Sequence, residues 1–219
     1  MNSVIILAGA SAVGKTTVGT LLVETGKFEL VRSATTREKR NDAFGSEYIY
    51  LSRDEFLELI ENGGVLEHTE YAGNLYGTPR SEIERISSEG KTPLLILDLN
   101  GVKSLSEAEG INPCSIYLWE DLNVMEKRLY DRYVGESPSV EGMKSFLSRK
   151  EQNISDFLEM EKHAPVFYSF VKGGSTVAES GEAILAKFSA FLGGEEKRAE
   201  ENLSIARALC ESAMRKISQ

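Results

Sequence analysis

The first apolar segment of the chain, Val4-Ile5-Ile6-Leu7-Ala8, is an unbroken run rich in β-branched residues, the pattern of a strand buried on both faces. Glycines follow at once, then Lys15-Thr16-Thr17-Val18 with Leu21, Leu22 and Gly26, so the stretch reads as strand, loop, helix and stop. Further runs of this kind, Pro93 to Leu99, Cys114 to Leu118 and Val166 to Val171, are separated by helical patterns long enough for crossover connections. This succession predicts an α/β core built on a parallel sheet.

Residues 33 to 90 follow a different pattern. Glu47 to Leu51 and Val65 to Tyr71 alternate polar and apolar positions as half-exposed strands do, which predicts a separate small α/β lobe. Between them Ser52-Arg53-Asp54-Glu55 is a capping box, opening a helix that carries Phe56, Leu59 and Ile60 and stops at Gly63-Gly64. Thr78-Pro79 places an N-cap and an N1 proline before a helix ending at Gly90. Tyr133 to Gly142 holds two glycines and a proline without an apolar period, an exposed loop suited to a lid. After Gly193-Gly194 the chain turns polar, and Leu203, Ala206, Leu209, Ala213 and Ile217 then mark an amphipathic terminal helix. Its apolar stripe is an intramolecular or a self-association face. The expected organisation is one domain over 1–192, with core 1–32 and 91–192, lobe 33–90 and lid about 133–148, and a helical extension over 193–219.

Composition narrows the chemistry. At 219 residues, 41% hydrophobic and 27% charged, the chain suits one globular domain with an inserted lobe. Thirty-four Asp and Glu against 25 Lys and Arg give a net charge of -9, which disfavours nucleic acid and anionic membrane as partners. An anionic ligand would need a local basic pocket. Cys114 and Cys210 alone make neither a disulfide framework nor a cysteine zinc site, which suits a reducing compartment. Met1-Asn2-Ser3 has no positive n-region, and Val4 to Ala8 is too short for a signal or spanning helix, so a cytoplasmic location is expected. The N-x-S matches at Asn153 and Asn202 are read as chance.

Gly9-Ala10-Ser11-Ala12-Val13-Gly14-Lys15-Thr16 matches the pattern G-x-x-x-x-G-K-[ST] and sits between a predicted buried strand and a helix. There the glycines let successive backbone N–H groups wrap phosphate oxygens, and the helix N-terminus adds its partial positive charge. Lys15 would reach the β- and γ-phosphates and the Thr16 hydroxyl would ligate Mg²⁺, so the expected ATP-binding set is this octapeptide with Thr17. The loop alone leaves GTPase, ATPase, transporter and kinase open.

Ser33-Ala34-Thr35-Thr36-Arg37-Glu38-Lys39-Arg40 places two arginines three apart in an otherwise acidic protein, and guanidinium forks clamp phosphate bidentately. Together with the phosphate loop, Tyr48-Ile49-Tyr50, Leu66-Glu67-His68 and Gly73-Asn74-Leu75-Tyr76-Gly77-Thr78-Pro79-Arg80, this stretch resembles guanylate kinases in order and spacing through about residue 103. The resemblance implies a P-loop nucleoside monophosphate kinase fold with a small GMP-holding lobe and a lid. It makes Arg37, Arg40, Tyr48 and Tyr76 binders of the GMP phosphate, Ser33, Glu67 and Thr78 readers of the base, and Asp98 a base or Mg²⁺-water contact. Ile96 stands where the family carries a further acid. Met125 to Arg132 resembles the helix leading into the lid, with Arg132 directed at phosphate. The family's next arginine falls on Phe146 or on Arg149 depending on the alignment, and Arg149 is preferred because Phe146 cannot neutralise charge. The implied catalytic set is Lys15, Arg37, Arg132 and Arg149.

Guanine's N1–H and N2–H₂ are adjacent donors that one carboxylate meets together, whereas adenine presents an acceptor there, so Glu67 suits guanine chemically. The expected reaction is transfer of the γ-phosphoryl group of MgATP to GMP, without a covalent enzyme intermediate. Two alternatives stand beside it: a protein-binding module of this family without catalysis, whose mark would be a broken phosphate loop, and a kinase of the same fold with another phosphorylated acceptor. His68, with His163 the only other histidine, is assigned no chemistry.

Overall fold

The computed structural model describes residues 2–39, 48–71 and 73–218. From the N-terminus run β1 (Asn2–Ala8), α1 (Lys15–Glu24), β2 (Phe28–Leu30), β3 (Ser33–Thr35), β4 (Tyr48–Tyr50), α2 (Arg53–Glu61), β5 (Val65–Tyr71) and β6 (Asn74–Pro79). There follow α3 (Arg80–Ser88), β7 (Thr92–Ile96), α4 (Leu99–Ser106), β8 (Ile111–Trp119), α5 (Leu122–Tyr133) and α6 (Val140–Leu158). The chain closes with α7 (Met160–His163), a 3-10 turn over Ala164–Val166, β9 (Ser169–Lys172), α8 (Val177–Leu192) and α9 (Ala199–Ile217).

Five strands form a parallel sheet in the order β2-β7-β1-β8-β9. Central β1 lies with Ile5 between Leu94 and Cys114, and every side chain from Val4 to Ala8 is buried, as the unbroken apolar run requires. Two strands are shorter than their apolar runs suggest. β7 ends at Ile96 because Asp98 caps the next helix, its Oδ1 accepting from Gly101 N–H at 2.8 Å. β9 starts only at Ser169, because Pro165 sits in the 3-10 turn that precedes it.

A second sheet, β4-β3-β6-β5, carries the lobe, antiparallel except for the β3–β4 pair. Ser52 and Glu55 make the capping box reciprocally, Glu55 N–H donating to the Ser52 hydroxyl at 3.2 Å and Ser52 N–H to the Glu55 carboxylate at 2.7 Å. That helix buries Phe56 against Ala34 and Leu75, a small core of the lobe's own. Thr78 does not cap α3. The strand continues one residue further, Pro79 takes the cap position, and the Thr78 hydroxyl is used elsewhere.

The lid expected over about 133–148 is mostly helix. α5 extends through Tyr133, and Ser139 opens α6 by accepting from Gly142 N–H at 2.9 Å, so only 134–139 is irregular. The terminal stretch is equally unlike a free extension. α9 packs on α6, α7 and the 3-10 turn, burying Ala206, Leu209 and Ala213. Asn202 Nδ2 donates to the carbonyls of Phe167 (3.0 Å) and Tyr168 (3.2 Å). Of the stripe read as an intramolecular or a self-association face, the centre is thus covered within the molecule, while Ile217 at its end stays exposed. Among the described residues no helix is long and apolar enough to cross a membrane.

Candidate active site

The phosphate loop leaves the C-terminal end of β1 and turns into α1, the place where open α/β sheets hold ligands. Gly9 (φ 151°) is required there twice over, since its backbone is left-handed and a Cβ would run into the Leu118 carbonyl. Ala12 also stands at positive φ (65°), a conformation that costs a non-glycine residue about 1–2 kcal/mol. Lys15 curls back over the loop, Nζ donating to the carbonyls of Gly9 (2.6 Å) and Ala10 (3.0 Å). Burial lowers its pKa from 10.5 to about 8, with Arg149 and Arg132 adding to the effect and Asp156 opposing it. Thr16 and Thr17 lie exposed in the first turn of α1, where backbone N–H groups lack helical acceptors.

Two clefts share this loop. The larger, about 820 Å³, is lined by Gly9, Ser11, Lys15 and Ile96 to Asn100 on one side and by Arg149, Gln152 and Asp156 of α6 on the other. The smaller, about 340 Å³, is lined by Ala12 to Gly14, Thr17, Arg128, Arg132 and the 173–177 turn. Arg149 thus faces the cleft that Lys15 faces, while Phe146 is buried, its ring edge-on to Tyr130 at 5.6 Å. Arg128 reaches the carbonyls of Ala12 and Val13, at 3.4 Å each.

The lobe brings its polar residues together by strand pairing. A bulge in β5 between Val65 and His68 disrupts the alternation around Glu67, and β6 approaches it closely because Gly77 has no Cβ, which would lie 2.6 Å from the Glu67 carbonyl. The Thr78 hydroxyl, fully buried, donates to Glu67 Oε1 at 2.7 Å. Burial holds the Glu67 carboxyl above the usual carboxylate range against that hydrogen bond, and the charge of Asp98 adds to the rise. Ser33 pairs with Tyr48 and Thr35 with Tyr76 across the sheet. Tyr48 and Tyr76 meet at 6.3 Å, and the Arg37 guanidinium sits 5.4 Å from the Tyr48 ring centre. The buried Arg37 Nε has no hydrogen-bond partner among the described residues. Arg40 lies outside the described residues.

Asp98 is the expected site residue whose setting differs most, because it caps α4 from an exposed position two residues beyond β7. Several residues at the site carried no sequence signal of a role. Thr35 and Thr36 tie the Arg37 turn to Leu75, the Thr36 hydroxyl accepting from Leu75 N–H at 2.9 Å and Arg37 N–H donating to Thr35 Oγ1 at 3.2 Å. Asn153, buried in α6, accepts from Ser11 N–H at 2.7 Å and donates to Ser11 O at 3.0 Å. Asp156 has its carboxyl raised by burial, with the Asp98 charge adding to the rise and Gln152 and Lys15 opposing it. Only its helical spacing of three from Asn153 hinted at a shared face. Among the described residues no group of three His, Cys, Asp or Glu side chains is arranged to hold a metal ion.

A family model described as guanylate kinase matches residues 1–163. The guanylate kinase of Lactobacillus johnsonii is 35% identical over 153 residues, 67% of this chain and 73% of that one. That of Lactobacillus acidophilus is 32% identical over 188 residues, 83% of this chain and 85% of that one. The crystal structure of guanylate kinase from Anaplasma phagocytophilum superposes with a TM-score of 0.57 at 24% identity, over 87% of this chain and 86% of that one, a likeness of fold.

Proposed function

The chain belongs to the guanylate kinase family, and we propose that its two clefts hold the two substrates of that family's reaction, with Lys15 between them. The protein is an ATP:GMP phosphotransferase, giving ADP and GDP. The observation that carries the site assignment is the shared phosphate loop: residues 12–14 and 17 line one cleft, and Gly9, Ser11 and Lys15 line the other.

On this reading ATP lies along the smaller cleft with its phosphates on Gly9 to Thr17, and GMP lies in the lobe and the larger cleft. Glu67 accepts from guanine N1–H and N2–H₂, which offsets the cost of burying its charge, while Thr78 and Ser33 offer hydroxyls toward O6. Arg37, with Arg40, Tyr48 and Tyr76, binds the GMP phosphate, and the Arg37 Nε, without a hydrogen-bond partner among the described residues, is a donor for it. A phosphate monoester is largely dianionic at neutral pH, so its oxygen attacks the γ-phosphorus without a general base. The bond from the γ-phosphorus to the β–γ bridging oxygen breaks, and ADP leaves with that oxygen. Lys15, Arg132 and Arg149 spread the charge that builds during this in-line transfer, so catalysis is positioning and electrostatics.

The Thr16 hydroxyl and the Asp98 carboxylate oxygen left free by capping are hard oxygen donors of the kind Mg²⁺ takes, so these residues fit an ion arriving with the nucleotide. When bound, Mg²⁺ supplies positive charge at the β- and γ-phosphates.

The test is ADP formation from MgATP with GMP, dGMP, AMP, UMP, CMP or no acceptor. GMP-dependent turnover well above every other nucleotide is expected. Equal rates with AMP would remove Glu67 from base reading, and no rate with any acceptor would make the chain a binding module.

A further inference from the structure

We propose that Asn153 is a positioning residue for the phosphate loop: its carboxamide clamps the Ser11 backbone at both N–H and C=O, holds Ala12 left-handed, and ties the loop to the helix that carries Arg149. The inference rests on the reading of the loop as the ATP-phosphate cradle.

Asn153 is 2% exposed, and both ends of its amide are used on the backbone of one residue, accepting from Ser11 N–H (2.7 Å) and donating to Ser11 O (3.0 Å). That is the pairing a neighbouring strand would supply, delivered here by a side chain 142 residues away. A buried amide is unfavourable unless satisfied, and an aliphatic residue would fill the same space without that cost. The gain from an amide is therefore direction.

The direction matters because of the next residue. Ala12 has φ 65°, and a non-glycine residue keeps such a conformation only when its surroundings over-determine it. With the peptide planes before and after Ser11 each held by one end of the amide, the chain enters Ala12 in one orientation, and the N–H groups at Gly14, Lys15 and Thr16 follow into the start of α1 without helical acceptors of their own. Ser11 N–H is occupied by Asn153 and is not one of the phosphate donors. Without the clamp Ala12 relaxes to negative φ, and the donors must be re-aimed each time a nucleotide binds.

The same contact reaches across the site. Arg149 and Asn153 are four apart on α6 and share a face, so pinning Asn153 to the loop sets the distance from Arg149 to the phosphates. The α6 half bearing Arg149 therefore moves with the loop, and any lid motion is left to 134–139 and the first turns of α6.

The test uses full-length Asn153→Ala, Asn153→Asp, Ala12→Gly and the Asn153→Ala/Ala12→Gly double variant, each checked by thermal melting. The readouts are ADP affinity by calorimetry, and kcat with separate KM values for MgATP and GMP. Asn153→Ala should weaken ADP binding and raise KM for MgATP about tenfold, the scale of one to two lost hydrogen bonds, while KM for GMP stays within about twofold. Asn153→Asp keeps the acceptor for Ser11 N–H and should fall between wild type and alanine, which serves if the alanine variant melts too low to assay. Ala12→Gly should restore part of the ADP affinity in the Asn153→Ala background, because glycine takes positive φ freely. Unchanged ADP affinity in both Asn153 variants overturns the proposal, as does an Ala12→Gly effect equal in both backgrounds, or a parallel rise of both KM values that tracks lost melting temperature. ADP binding requires no acceptor, so a wrong assignment of GMP would leave this result standing and would appear only in the turnover assay.

Discussion

Nucleotide binding should draw a proton onto Lys15, and the size of that uptake follows from its setting. In the free protein the ammonium is crowded by burial and by the charges of Arg149 and Arg132, which brings its pKa from 10.5 to about 8. That difference corresponds to about 3 kcal/mol of disfavoured charge, present below pH 8 and lost as pH rises toward the unfolded value. Phosphate oxygens favour the charged form, so binding returns the pKa to its ordinary range or above. At pH 7.5 about a quarter of free molecules hold Lys15 neutral, and at pH 8.5 about three quarters, so binding takes up about 0.25 and about 0.75 proton respectively.

Both pH values lie above the phosphate titrations of the nucleotide, which keeps the ligand's own protons out of the difference. Calorimetric titration with ADP in two buffers of different ionisation enthalpy gives the uptake directly. The control is Lys15→Arg, whose guanidinium stays charged throughout and should show no such rise. Equal uptake at the two pH values, or a rise that persists in Lys15→Arg, would refute the placement of a partly neutral Lys15 at the phosphates.

Three further outcomes are expected. Glu67→Gln should lower kcat/KM for GMP sharply, since an amide presents a donor where guanine needs an acceptor; the same change should raise the ligand-free melting temperature at pH 7, because the buried carboxylate has a raised pKa and its charge costs stability above that pKa, with the gain fading as pH falls into the carboxylate range. Arg149→Ala should reduce kcat about 10²–10³-fold with a smaller effect on GMP affinity, as for loss of a transition-state charge donor, whereas Phe146→Ala should lower the melting temperature while turnover per folded molecule survives; steady-state kinetics beside melts separate the two. Glu82, nearly fully buried and paired bidentately with Arg32 (2.8 and 3.0 Å), has its pKa lowered to about 2, so Glu82→Ala should cost about 3 kcal/mol at pH 7 and roughly half of that at pH 3, measured by urea unfolding; an equal cost at both pH values would assign the loss to packing.

What could be read from the chain alone was whatever depends on near neighbours. The buried run Val4 to Ala8, the phosphate loop, and the capping box at Ser52 each rest on contacts within a few residues, and the glycine and lysine spacing of a phosphate loop is itself the geometry that wraps an oxyanion. Spacing also carried the resemblance through the lobe, since most of the residues it assigns to GMP there come from neighbouring strands. Where a residue had two possible partners, only the fold chose. Thr78 had the local form of a helix cap, yet a bulge in a neighbouring strand brings Glu67 to its hydroxyl. Asp98 had the form of a strand-end ligand and also caps α4, a role set by where β7 stops. Phe146 and Arg149 were separated by burial: α5 covers the side of α6 that carries the ring, and Arg149, on the neighbouring side, looks into the cleft. The terminal stripe shows the same division, for its period predicts an apolar face but not the surface that meets it, which here is α6. Asn153 had no local partner at all. Its role arises from a contact across 142 residues, and such contacts form only when packing brings distant segments together.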